Sequence, residues 1–196
     1  MIGKLTGRLI EKRPPLIVID CQGVGYELEA PMTTIYDLPV LGSQVTVFTH
    51  LAIRDDAHLL YGFLTDTERS LFKALLKVNG VGTKMALVIL SGMDVSEFAD
   101  CVRSEDWARL VSLPGVGKKT AERLVLDMRD KVDTISAGST YQEPNSDSSL
   151  IDDAVAGLVS LGYKQSEAVR YIEKLEEKYV SSEEIIRQVL KNVLTR

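Results

Sequence analysis

The chain is poor in the residues that build metal sites and disulfide frameworks. Of 196 residues only two are cysteine and two are histidine, and Cys21 and Cys101 stand far apart. That spacing excludes a clustered metal site, and both thiols are expected to be buried in a reducing cytosol. No run approaches eighteen apolar residues, so no transmembrane helix and no membrane partner is expected. Met1-Ile2-Gly3-Lys4-Leu5-Thr6-Gly7-Arg8 lacks a long apolar core, so no signal peptide is expected either. An excess of positive charge is missing too: the formal net charge is −5. What remains is ordinary for a globular protein, 45% apolar and 26% charged, at a length that permits one to three domains.

The negative total argues against a nucleic-acid partner only until the chain is divided. Residues 1–64 carry 5 basic and 7 acidic side chains, residues 65–131 carry 11 and 10, and residues 132–196 carry 7 and 11. The middle third alone is not acidic. Its lysines cluster in two related stretches, so the charge is patterned.

Those stretches are Val78-Asn79-Gly80-Val81-Gly82-Thr83-Lys84-Met85-Ala86 and Leu113-Pro114-Gly115-Val116-Gly117-Lys118-Lys119-Thr120-Ala121, offset by 35 residues. The match extends outward, Leu75 aligning with Leu110 and Ile89-Leu90 with Leu124-Val125. Two copies make a pseudo-symmetric pair rather than a solenoid. Each reads as helix, Gly-x-Gly hairpin, helix.

Around this pair the chain divides into four segments. Residues 1–64 predict strands over Ile2–Ile10, Leu16–Cys21, Gly25–Ala30, Gln44–Ile53 and Leu59–Phe63, with a helical turn over Thr33–Leu38. That order suits an OB-type Greek-key barrel, with an SH3-like barrel as the competing reading. Arg54-Asp55-Asp56-Ala57 joins the last two strands. Adjacent aspartates can simply make a turn, or can meet a charged ligand at the tip.

Residues 65–132 predict five helices: one capped by Asp66 or Thr67 and running through Val78, then Thr83–Leu90, one capped by Asp94 or Ser96, Glu105–Leu113, and Lys118–Lys131. Residues 133–149 are polar and poor in apolar side chains, which predicts a disordered linker with ends roughly 20–25 Å apart. Residues 150–196 predict a three-helix bundle. Ile151, Ala154, Val155, Leu158 and Leu161 line its first helix, and Ala168, Ile172, Leu175 and Tyr179 its second. Ser181-Ser182-Glu183-Glu184 forms a capping box opening the third. The acidic balance of the bundle argues against direct DNA contact there.

Three chemistries compete for the hairpins. Gly117-Lys118-Lys119-Thr120 looks like the end of a P-loop, but the required earlier glycine is Ser112 and the flank is helical. A dinucleotide fingerprint needs a βαβ context that is absent. Phosphate binding by a helix N-terminus fits better: glycines admit close backbone approach, and the helix dipole favours an anion. Lys84, Lys118 and Lys119 occupy first-turn positions that the dipole would rather fill with acids, which points to an anionic ligand.

Both stretches fit h-x-G-h-G-x-x-x-A, where h is apolar, and resemble the helix–hairpin–helix motif. The order of barrel, paired hairpins, linker and small helical bundle resembles, over essentially the full length, the RuvA family of bacterial Holliday-junction-binding proteins. Met1-Ile2-Gly3-Lys4-Leu5, Gly23-Val24-Gly25-Tyr26-Glu27, Leu59-Leu60-Tyr61-Gly62-Phe63, the two hairpins through Arg123-Leu124, and Leu161-Gly162-Tyr163 carry the resemblance. It implies an α+β multidomain fold: an OB barrel, a tandem helix–hairpin–helix domain, and a UBA-like three-helix bundle. DNA backbone binding would fall to Asn79, Gly80, Val81, Gly82, Thr83, Lys84, Pro114, Gly115, Val116, Gly117, Lys118, Lys119, Thr120 and Arg123. Asp55 and Asp56 would form an acidic pin at the crossover of a four-way junction.

The resemblance further implies a cytoplasmic homotetramer with no cofactor, metal or catalytic residue of its own. It would recruit the AAA+ ATPase RuvB through the bundle, with Leu161, Gly162 and Tyr163 as the contact. It allows a second tetramer on the junction and contact with the RuvC resolvase. Thr83 departs from the family, where proline is common at this position, and a slightly looser first hairpin is expected. A base-excision glycosylase would share the Leu113–Ala121 pattern with Lys119, but needs a catalytic aspartate in a further helical core. A scaffold whose hairpins only join helices is the plainest alternative.

Overall fold

The computed structural model describes residues 1–136, 147–175 and 181–194. The chain forms two compact units, Met1–Thr140 and Tyr141–Arg196. The first opens with strands β1 (Lys4–Arg13), β2 (Leu16–Cys21), β3 (Val24–Glu29), β4 (Gln44–Ile53) and β5 (His58–Phe63), with helix α1 (Met32–Asp37) between β3 and β4. The strands close as β1-β2-β3-β5-β4, β1 returning to pair with β4, and β3 meets β5 in parallel. This is the OB-type barrel, and the SH3-like reading falls away. Alternation drives it: Leu5, Leu9, Val45 and Val47 point inward while Lys4, Thr6, Gln44 and Thr46 face solvent. The first strand starts and ends later than its sequence suggests. A bulge between Leu9 and Glu11 lets it continue pairing with β2 as far as Arg13 opposite Leu16.

Helices α2 (Asp66–Leu75), α3 (Thr83–Gly92), α4 (Val95–Arg103), α5 (Trp107–Val111) and α6 (Lys118–Ser136) follow. Several bounds differ from expectation, and three of them have a clear local reason. The cap of α2 is Thr65, not Asp66 or Thr67: Glu68 donates its amide to the Thr65 hydroxyl, and its carboxylate accepts the Thr65 amide, both at 3.1 Å. The helix also stops at Leu75, because the amides of Lys77 and Val78 bond only three residues back as the chain tightens into the hairpin. In α5, Glu105 has φ 54°, so the helix starts after it, capped by Asp106. Helix α6 runs to Ser136 and α7 starts at Asp147, so both enter the stretch read as linker. The disorder expected there concerns residues 137–146, which lie outside the described residues.

Barrel and helices share one packed interface. Tyr61 and Phe63 of β5 meet Phe72 of α2 with ring centroids 5.1 and 5.0 Å apart, and all three rings are buried. Arg69 of α2 donates to the Gly3 carbonyl at 2.7 Å, pairs with Asp66, and lies over the Phe48 ring. Helix α1 is tied to the end of α3, the Met32 amide donating to the Ser91 hydroxyl and the Thr33 hydroxyl to the Leu90 carbonyl, both at 2.9 Å. Burying a ring such as Phe72 stabilises by roughly 2–3 kcal/mol. Of the two thiols, Cys101 is buried as expected but Cys21 is half-buried at the end of β2.

In the second unit α7 (Asp147–Ser160), α8 (Gln165–Ile172) and α9 (Ser182–Leu194) pack around Ala154, Leu158, Ala168, Ile172, Ile185 and Val189. Ser181 caps α9, accepting from the Glu184 amide at 3.3 Å. Tyr179 lies outside the described residues.

His50 of β4 is wedged between barrel and helices, its ring centroid 5.6 Å from Phe72, and its Nδ1 is buried without a hydrogen-bond partner. Burial first, then the charges of Lys73 and Arg69, hold its pKa below the ordinary 6.5. A lowered histidine pKa means that the unfolded chain binds the proton more readily. This contribution to stability is therefore lost as pH falls below 6.5. The unfolding midpoint should drop more between about pH 7.5 and about pH 5.5 in the wild type than in His50→Gln. Equal drops in thermal denaturation would remove His50 from the account.

Candidate nucleic-acid interface

The two hairpins are built by the same hydrogen bonds. In the first, the Val81 amide donates to the Val78 carbonyl at 3.1 Å, and the Ala86 amide to the Gly82 carbonyl at 3.0 Å. In the second, the Val116 amide donates to Leu113 at 3.1 Å, and Ala121 to Gly117 at 2.9 Å. Val81 and Val116 are buried and anchor each turn in the helical core. Gly80 and Gly115 have φ of 89° and 83°, a left-handed conformation that favours glycine. With Thr83 in place of proline, the first turn closes through the same pair of backbone bonds as the second.

Gly82 caps α3 in an extended conformation and supplies no side-chain bond, so the amides of the first helical turn are left for an outside acceptor. A Cβ added at Gly82 or Gly117 would meet nothing within 4 Å. These glycines face open space, where an anion can approach the backbone. Asn79, Gly80, Gly82, Lys84, Pro114, Gly115, Gly117, Lys118 and Lys119 are exposed, while Thr83 and Thr120 are half-buried.

The cations around the hairpins are sorted. Arg103 pairs with Asp100 and Asp133, Arg109 with Glu97, and Arg129 with Glu105. Among the described residues Lys84, Lys118 and Lys119 form no ion pair. Lys118 lies over the Trp107 ring, Nζ 5.0 Å from its centroid, an arrangement that steadies the side chain without cancelling its charge. Arg123 of α6 donates to the Asn79 carbonyl at 3.1 Å and so ties the second hairpin's helix to the first hairpin. The assembly offers two amide-lined turns, held together, each flanked by uncancelled lysine. Chemically it can hold two phosphates, and contacts of that kind carry no information about base identity.

The acidic loop adjoins this surface. Asp55 and Asp56 are exposed at the tip of the β4–β5 hairpin, closed by the Arg54 amide donating to the Ala57 carbonyl at 2.8 Å. The Arg54 side chain reaches Thr83 at the start of α3. A groove of about 780 Å³ runs alongside, with Arg54, Thr83, Lys84 and Pro114 on its lining. In the second unit Leu161-Gly162-Tyr163 forms the turn after α7; Leu161 is exposed, and Tyr163 packs edge-on against Tyr171.

Three family models match the chain: the RuvA N-terminal domain over residues 1–62, a SAM-like helix-hairpin-helix tandem over 72–130, and the RuvA C-terminal domain over 149–193. A protein of Thioalkalivibrio sulfidiphilus named Holliday junction branch migration complex subunit RuvA is 53% identical over 200 residues, covering 99% of this chain and 100% of that protein. The chain belongs to the RuvA family. RuvA proteins of the same name from Nitrosococcus oceani and Pseudomonas putida are each 50% identical and matched over their full lengths, across 99% and 100% of this chain respectively. The RuvA N-terminal match ends inside β5, and the tandem match spans both hairpins.

Sequence reasoning missed Trp107 and Arg54. Trp107 precedes Lys118 by eleven positions with no periodic relation to it, and only folding brings the ring under the ammonium. Arg54 was legible as a loop residue, but its partner lies 29 residues away.

The double variant Lys118→Ala with Lys119→Ala should weaken duplex binding for every sequence tested. It should also flatten the plot of log affinity against log salt by about one unit for each phosphate no longer neutralised. An unchanged slope in a salt titration would take these lysines off the interface.

Proposed function

We propose that this chain is the non-catalytic, junction-binding subunit of a DNA branch-migration complex. One observation carries the reading: the same anion-ready turn occurs twice, with matching hydrogen bonds and uncancelled lysines, beside a loop bearing two adjacent carboxylates. Membership of a family whose curated members are named Holliday junction branch migration complex subunit RuvA supports it.

In this reading each hairpin takes the backbone of one strand. Asn79 to Lys84 and Pro114 to Thr120 supply amides and lysines, and Arg123 keeps the two turns in register. Asp55 and Asp56 meet the converging phosphates where four arms cross. Like charges about 5 Å apart in a partly dry site repel by on the order of a few kcal/mol, enough to hold strands apart. A linear duplex laid over the same surface meets that repulsion without an open centre to relieve it. Selectivity thus comes from the loop and from fourfold assembly, while the hairpins supply the grip.

The homotetramer, the cytoplasmic setting and the recruitment of RuvB follow from the family. A second tetramer and the RuvC resolvase are compatible partners. The second unit offers the exposed Leu161, with Gly162 and Tyr163, as the contact for the motor. ATP hydrolysis belongs to that partner.

Two measurements test the reading. At one fixed salt concentration the chain should bind a four-way junction more tightly than a linear duplex of the same length. Asp55→Asn with Asp56→Asn should shrink that preference, chiefly by raising duplex affinity. Equal affinities in the wild type would refute the assignment. Deleting residues 150–196 should leave junction binding intact and abolish motor-driven branch migration; full migration by the truncated chain would overturn the role given to the second unit.

A further inference from the structure

The acidic loop has little to hold it in place. Beyond the last strand pair, Ile53 opposite His58, one backbone bond closes it, from the Arg54 amide to the Ala57 carbonyl at 2.8 Å. Asp55 and Asp56 are exposed. Among the described residues the single side-chain hydrogen bond from this loop runs from Arg54 Nη2 to the Thr83 hydroxyl oxygen, at 3.2 Å.

That bond is informative because of what the guanidinium does not do. Two carboxylates follow Arg54 in the chain, and Glu29 lines the same groove. Yet among the described residues Arg54 forms no ion pair. Its charge is directed to a neutral hydroxyl on the first turn of α3, and the loop's own carboxylates are left uncancelled. Thr83 is free to accept, since Gly82 caps the helix and no cap bond uses the Thr83 side chain. Proline would serve the backbone equally well at this first helical position but would have no acceptor to offer.

We propose that Thr83 and Arg54 are positioning residues for junction selectivity: their hydrogen bond fixes the acidic loop to the first hairpin and keeps the arginine from neutralising Asp55 and Asp56. The bond sets the placement of the two carboxylates relative to DNA held by that hairpin. Without it the loop hangs on its strands alone, and the guanidinium swings to the adjacent carboxylates. The inference rests on the hairpins and the loop acting together on a junction.

The test uses the full-length chain, with the ratio of junction to linear-duplex affinity at fixed salt as the readout. That ratio cancels whatever a change at the hairpin costs on both DNAs. Thr83→Val should lower the ratio about fivefold, which corresponds to ~1 kcal/mol, the usual worth of one hydrogen bond. Thr83→Ser, which keeps the hydroxyl, should retain the wild-type ratio. Thr83→Pro should behave as Thr83→Val and guards against a packing artefact of valine. In an Arg54→Gln background, Thr83→Val should change the ratio less than about twofold, because the bond is already gone. An unchanged ratio in Thr83→Val, an equal loss on both DNAs, a loss in Thr83→Ser, or a full fivefold effect in the Arg54→Gln background would each overturn the proposal. A wild-type chain with no junction preference would instead remove the function on which it rests.

Discussion

The grip of the two hairpins depends on leaving a few backbone amides without a partner inside the chain. The first turn of a helix always has donors without partners, and most helices cover them with a side chain. In this chain α2, α4 and α5 do so through Thr65, Asp94 and Asp106. Helix α3 does not, because its cap is glycine. Lysines in the first turns of α3 and α6 worsen the mismatch with the helix dipole by a few tenths of a kcal/mol each. The cost is local and is offset by the valines that each turn buries in the common core.

That core also joins the barrel to the helices. The rings of Tyr61, Phe63 and Phe72 sit where β5 meets α2, and Arg69 closes the edge against Gly3. An OB barrel and a pair of hairpins could have been connected loosely, as separate beads. Packed together, they make the β4–β5 loop a neighbour of the first hairpin, so acid and amide surfaces meet any ligand as one face.

Much of this was legible in the sequence. Period-two alternation marked the strands, and the 35-residue offset between the Gly-Val-Gly stretches announced equivalent turns. Element ends were less so, since they were decided by competition between neighbours: Thr65 won the cap of α2 over Asp66 through its reciprocal bond with Glu68. Contacts that join distant segments left no periodic trace. Lys118 over Trp107, Arg123 to Asn79 and Arg54 to Thr83 each depend on where whole helices come to rest. Which lysines stay uncancelled was likewise invisible, because it required knowing that Arg103, Arg109 and Arg129 direct their charge to nearby acids.

In the proposed reading the hairpin turns meet the phosphate backbone through amides and ammonium groups, and such contacts carry no sequence information. For a protein whose partner exchanges base pairs as strands pass through it, that blindness is mechanically useful. Each step along the DNA renews the same phosphate pattern, so the energy of the complex is nearly level from one position to the next. A reader of base edges would sink into its preferred sites and stall there. Under the proposed function, a surface built from Gly82, Gly117 and their flanking lysines would impose almost no friction of that kind, and the work of a motor would go into moving strands rather than into escaping the protein that holds them.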